Sequence, residues 1–217
     1  MALIAGTTPV AELLRRLALR RRVYHSEADF QHAFAWEAHQ MDPALRVRLE
    51  THPEPNVRLD LLLSRTDLER HTAVELKYLT AGWTGDVDGE HFALKNHGAQ
   101  DVRAYDVVKD IGRLETFVAG RQGWNGVFVA ITNDPSFWRP VVHGRATNAD
   151  AFRIYEGVTL SGPRAWGPNT GPGTMRNREA AIELTGSHQL MWQDYALVDK
   201  GPRGLFRVLV LEVTPSS

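Results

Sequence analysis

A chain of 217 residues can bury one sizeable core, and its 43% hydrophobic and 24% charged content is that of a globular protein, with no apolar run approaching the roughly 18 residues of a membrane span. The formal net charge of −1 argues against a protein that coats nucleic acid through bulk charge, although a local basic surface remains open to it. Without cysteine there is no disulfide framework, no thiolate zinc site and no cysteine nucleophile, so any metal must be held by oxygen or imidazole. The N-terminus places its basic residues after a short apolar start, the reverse of a secretory signal, and the expected setting is a soluble, cytoplasmic protein with no membrane partner.

Pro9 followed by Val10, Leu13, Leu14 and Leu17 predicts a first helix over about residues 9–22. Arg15, Arg16, Arg20, Arg21 and Arg22 crowd its second half. Guanidinium forks suit phosphate, and a solvated helix face suits the same pattern. Ser26 with Asp29 fits a capping box opening a second helix, carried by Phe30, Ala33, Phe34, Ala38 and Met41 and limited by Pro43. From Leu45 the period becomes two, and the strand it predicts ends at Pro53 and Pro55. VRLDLLLS (57–64) and TAVELKYL (72–79) predict two further strands.

An acidic, glycine-rich stretch, AGWTGDVDGEH, reads as a flexible loop. A long helix follows, striped by Val102, Tyr105, Val108, Ile111 and Leu114 and ended near Gly120, and GVFVAIT (126–132) predicts a buried strand. A proline- and glycine-rich stretch over about 133–178 reads as an irregular lid or binding loop. HQLMWQDYALV and LFRVLVLEV, flanking DKGPRG, predict a C-terminal β-hairpin over about 187–213. The expectation is one α/β domain over residues 1–217, with a core over about 25–132.

On a strand alternate side chains share a face, so Leu59, Leu61 and Leu63 should point one way and Arg58 and Asp60 the other, while Glu75 and Lys77 share a face of the next strand. Two carboxylates close together in an apolar sheet repel and lose hydration, and such a pair calls for a cation or a raised pKa. Oxygen ligands at that density suit magnesium or manganese. A lysine on the same face adds a positive charge able to orient water or neutralise charge developing on phosphorus oxygens. A hairpin with surface ion pairs among Arg58, Asp60, Glu75 and Lys77 is the competing reading.

VRLDLLL and AVELKYL, with an acid on the helix upstream and a helix and strand downstream, resemble the two motifs of the PD-(D/E)XK nuclease superfamily. The resemblance covers about residues 25–132, and its layout is similar to that of Holliday-junction resolvases and restriction endonucleases; Leu59 stands where the family name has proline. It implies a restriction-endonuclease-like three-layer sandwich, with a mixed central sheet flanked by helices and the C-terminal hairpin added. It implies Mg2+ or Mn2+ bound by Asp60, Glu75 and the Leu76 carbonyl, and hydrolysis of phosphodiester bonds, DNA foremost. Lys77 takes the place of the catalytic lysine. The helical acid is Glu27 or Glu37, with Glu27 preferred for both a metal-binding and a catalytic role.

Gln100 and Lys95, beside the start of the long helix, and Arg58 are the expected substrate contacts. Asp110 with Arg113, and Asp106 with Lys109, read as surface pairs along that helix. His25, His32 and His39 recur at seven, too far apart for one metal, and read as solvated. The expected partner is nucleic acid, with a homodimer or a larger defence or repair complex as the assembly in which such a domain would act. The alternative is a non-catalytic nucleic-acid-binding or assembly subunit of nuclease-like fold.

Overall fold

The computed structural model describes residues 1–55, 57–140 and 145–214. In chain order the elements are β1 (Leu3–Ile4), β2 (Thr8–Pro9), α1 (Val10–Arg20), α2 (Glu27–Met41), β3 (Arg46–Glu54), β4 (Val57–Arg65), β5 (Arg70–Leu79), β6 (Trp83–Val87), β7 (Glu90–Leu94), α3 (Gln100–Val118), β8 (Trp124–Thr132), β9 (Thr159–Arg164), α4 (Pro172–Met175), β10 (Ile182–Gln189), β11 (Trp192–Leu197) and β12 (Leu205–Val213). Six strands form a mixed central sheet in the order β11-β12-β8-β5-β4-β3, antiparallel except between β5 and β8. The parallel pair requires a crossover, supplied by α3. No helix among the described residues is long and apolar enough to cross a membrane.

The sheet separates two apolar clusters, and the whole is an α/β sandwich. Leu61, Leu63, Val74, Leu76, Tyr78, Val127, Val129 and Ile131 pack with the apolar stripes of α1 and α2 on one face. Ala73, Leu79, Phe128 and Ala130 pack with Val107, Val108, Ile111 and Leu114 of α3 on the other. β5 lies inside the sheet and is covered on both faces, which is why Thr72 to Leu76 are all buried.

Local details depart from the expected pattern. β3 continues through Pro53 to Glu54, because it is an edge strand on which a missing amide donor is tolerated. The acidic stretch is a two-stranded hairpin, β6 and β7, joined through Asp88 (φ 54°) and Gly89 (φ 84°), the paired left-handed residues of a tight I′ turn. Leu59 packs in the α3-side cluster although Leu61 and Leu63 face α2, so the alternation breaks at Asp60. On the neighbouring strand Glu50 has a left-handed φ of 49° at the same level of the β3–β4 ribbon.

The stretch after β8 packs against the body of the fold; of its residues, 141–144 lie outside those described. Phe137, Trp138, Phe152, Ile154 and Leu160 from it are buried against the α3 side of the core. The strand expected over HQLMWQDYALV is divided. His188 and Gln189 belong to β10, which pairs with β9 in a small separate sheet, whereas β11 and β12 pair and extend the central sheet through β8.

Glu115 fastens that small sheet to α3. Its buried carboxylate accepts from the Thr185 and Gly186 amides, each at 2.8 Å, and pairs with His188 Nε2 at 2.6 Å. Replacing it leaves buried donors unpaired, so Glu115→Ala should cost about 3 kcal/mol of stability in urea unfolding, toward the upper end for bonds to a charged group. An effect within about 0.5 kcal/mol, the ordinary range of a surface change, would contradict this role.

Candidate metal and catalytic site

The geometry begins with a fork in the sheet. Pairing of β4 with β5 runs from Arg65↔Arg70 to Leu61↔Val74, while β5 stays paired with β8 as far as Leu79. Beyond Val74 the β4-side edge of β5 therefore presents backbone groups without a strand partner. Acidic side chains take their place. Asp60 Oδ2 accepts from the Leu76 amide at 2.7 Å, and Glu27 Oε2 accepts from the Tyr78 amide at 3.0 Å.

Glu27 reaches this edge because Ser26 caps α2, accepting from the Asp29 amide at 3.1 Å and starting the helix beside β5. Glu37 lies elsewhere. It is buried between α1 and α2 and paired with Arg16 at 2.6 Å and Arg20 at 3.0 Å.

Glu75 and Lys77 project from β5 toward α3, and α3 answers each with a partner. Lys77 Nζ lies 2.7 Å from Asp110 Oδ2 and donates to the Leu76 carbonyl at 3.3 Å. Arg113 lies 2.6 Å from Glu75 Oε2 and 3.1 Å from Asp110 Oδ1. The four groups thus form a chain, Lys77–Asp110–Arg113–Glu75. Asp110 and Arg113 are not the surface pair expected of their spacing, since Asp110 is buried beneath α3. A signal for them does exist: Arg103, Asp106, Asp110 and Arg113 recur at three and four along one border of the apolar stripe.

Glu75 is wholly buried, and neither of its carboxylate oxygens receives an aligned hydrogen bond despite the nearness of Arg113. Burial, reinforced by Asp110 and Asp60, pushes its pKa up to about 8. Burial also raises Asp60 and Glu27 above the usual carboxylate range, against the opposing effect of Lys77 and of the amides they accept from. Lys77 moves the other way. Burial alone would lower it, but Asp110, Glu27 and Asp60 outweigh that and hold it above the ordinary lysine range, so it stays charged.

A cavity of about 570 Å³ opens beside this cluster, lined by Glu27, Lys77, Asp106 and Asp110, with Lys95, His97, Arg103 and Lys109 also on its walls. Three of the chain's four lysines line it. Lys95 lies just past β7 and Lys109 on α3, and among the described residues neither has an acidic partner within ion-pair distance. His25 also lines the cavity, stacked on Phe92 with ring centroids 4.4 Å apart and paired with Glu90 at 2.8 Å.

The remaining expected contacts lie apart. Gln100 donates to Asp134 Oδ2 at 3.3 Å and does not line the cavity, and Arg58 pairs on the exposed face with Glu50. The arginine cluster of α1 is engaged within the chain: Arg15 with Glu12, Arg16 and Arg20 with Glu37, Arg21 with Asp29, and Arg22 with Asp88.

The donor set fits a hard divalent cation. Glu27, Asp60, Glu75 and Asp110 carry four negative charges when ionised, against two positive charges on Lys77 and Arg113, leaving two in excess. Arg113 balances the charge of Glu75 without an aligned hydrogen bond, which leaves its oxygens acceptor capacity that a cation would use. Among the described residues no three acidic or imidazole side chains converge as a metal cluster. Comparison with protein-family models, with curated proteins and with solved structures finds no match for this chain.

The raised acids have a consequence for stability without metal. An unfolded Glu75 releases its proton near pH 4.5 and the native one near 8, so the native state binds the extra proton between those values and loses stability as pH rises across that window. In chelator-treated protein, Glu75→Gln should therefore gain stability relative to wild type between pH 5 and pH 8, measured by urea unfolding at each pH. A difference independent of pH would mean that Glu75 is ionised throughout.

Proposed function

We propose that this chain is a divalent-metal-dependent nuclease with a restriction-endonuclease-like fold, hydrolysing phosphodiester bonds, DNA foremost. One observation carries the reading: a buried Glu75, whose oxygens receive no aligned hydrogen bond and whose counter-charge is Arg113, lies on the strand next to that of Asp60, two residues before a charged Lys77. Asp60, Glu75, the Leu76 carbonyl and Glu27 would hold Mg2+ or Mn2+. Bound there, the ion supplies Lewis-acid stabilisation of the phosphoryl oxygens and activates water.

Lys77 contributes charge and not proton abstraction, because its carboxylate neighbours keep it protonated. Held against the Leu76 carbonyl and Asp110, it is positioned in advance to stabilise negative charge developing at phosphorus. Lys95 and Lys109, on different walls of the cavity, suit phosphates neighbouring the scissile one. The net charge of −1 and the internal pairing of the α1 arginines make this local surface the better electrostatic match to a polyanion.

A second reading, a nucleic-acid-binding subunit without turnover, is favoured by the complete burial of Glu75 and its placement behind the cavity lining. Cleavage of labelled single-stranded and duplex DNA and RNA with Mg2+ or Mn2+ separates the two. Glu75→Gln should lose metal binding and cleavage together, whereas Lys77→Ala should retain metal and lose about 10²-fold or more in turnover. Absence of cleavage by the wild type on every substrate would favour the subunit.

Binding without metal addresses the lysines separately. Replacing both Lys95 and Lys109 by Ala should weaken DNA binding and lower the salt dependence of log K by about 2, on the scale of one per phosphate contact. An unchanged salt slope would place the phosphates elsewhere.

A further inference from the structure

Arg113 stands in a position that the function above leaves unexplained. It reaches from α3 to within 2.6 Å of Glu75 Oε2 and holds Asp110 at 3.1 Å, yet its own Nε has no hydrogen-bond partner and the Glu75 oxygens receive no aligned donor. A buried ion pair justifies its loss of hydration only when its geometry is good and its remaining lone pairs and protons are satisfied. This one meets neither condition. A third of the Arg113 side chain is open to solvent, whereas Glu75 is fully enclosed, so the arginine is the partner with somewhere to go.

We infer that Arg113 is a resident counter-ion occupying Glu75, which a divalent cation must displace, making Arg113 a determinant of how tightly the site binds metal. The inference rests on the metal-site reading proposed above. An ion ligated by Glu75 would set two charges of like sign against one carboxylate in a poorly solvated pocket, and the groups facing that carboxylate are Asp60, Asp110 and Arg113. Lys77 lies 2.7 Å from Asp110 Oδ2 in a contact no better aligned than that of Arg113, but it also donates a hydrogen bond to the Leu76 carbonyl and so is held at a second point. Arg113 is attached to Glu75 by a single close but misaligned contact, and it yields. In its absence Asp110 keeps Lys77 as counter-charge.

The opposite role makes the opposite prediction. If Arg113 served to keep Glu75 ionised and oriented for metal, removing it would weaken binding. Mn2+ titration calorimetry on the full chain with wild type, Glu75→Gln, Arg113→Met and Arg113→Lys, run over a series of pH values extending above 8 and compared where affinity no longer changes with pH, so that Glu75 is ionised in each, decides between them. The expected result is Glu75-dependent binding that is at least tenfold tighter in Arg113→Met and near the wild-type value in Arg113→Lys, which keeps the charge.

Equal or weaker binding by Arg113→Met overturns the inference and leaves the nuclease reading untouched. Binding by Arg113→Met but not by wild type supports it, and failure of both to bind through Glu75 defeats the metal site and the inference with it. A measurement on the wild type removes dependence on the folding of the variant. The Arg113 Nε–H signal, assigned by its loss in Arg113→Lys, should be protected from solvent without metal and exchange-broadened by Mg2+. Protection that persists at saturating Mg2+ overturns the inference.

Discussion

A carboxylate with no exposed surface on the central strand of the sheet is the constraint around which this fold is arranged. Burying Glu75 is costly wherever it is charged and undirected, and the neighbouring elements all respond to that cost. α3 supplies Arg113, and the same helix supplies Asp110 to hold Lys77. β4 parts from β5 where Asp60 enters, and α2 begins where Glu27 can reach the next free amide. The apolar clusters on the two faces make such an arrangement rigid, since β5 cannot shift register without turning Leu76 and Tyr78 out of one core and Ala73 and Leu79 out of the other.

Most of the candidate site was legible in the sequence because it is written in strand periodicity. Asp60, Glu75 and Lys77 stand out as charged residues in otherwise apolar strands, whereas helix periodicity left Glu27 and Glu37 open and only the resemblance to the nuclease motifs favoured Glu27. Asp110 and Arg113 were hidden for a physical reason: at a spacing of three they satisfy one another on a lone helix, and nothing local reveals that a strand carrying two opposite charges will lie beneath them. The side change at Leu59 was equally hidden, because the divergence of β4 from β5 is a property of two strands together.

In the loops, composition concealed part of the structure. In GDVDGEHF the acidic residues obscured an Asp-Gly turn between Val87 and Phe92, both of which are buried in the α2-side core. In the stretch after β8, prolines and glycines suggested a lid, while the irregularly spaced Phe137, Trp138, Phe152, Ile154 and Leu160 were in fact core residues without periodicity. The arginines of α1 illustrate the converse. Their density suggests an anion surface, but acids distant in sequence, Glu37 and Asp88 among them, lie close enough to absorb their charge.

The β6–β7 hairpin forms a sheet of its own and is held to the body by Val87, Phe92 and Leu94, by Trp83 against Phe206 and Asp199, and by the pairs of Asp88 with Arg22 and Glu90 with His25. Its outgoing end carries Lys95 and His97 to the cavity wall, yet no strand of the central sheet depends on it for pairing. One part of the cavity's rim is therefore encoded outside the central sheet, although α2, β5 and α3 line the rest. The hairpin is a graftable module: exchanged for another of the same length that keeps those anchors, it would rewrite its part of the rim while leaving the acidic fork between β4 and β5 unaltered.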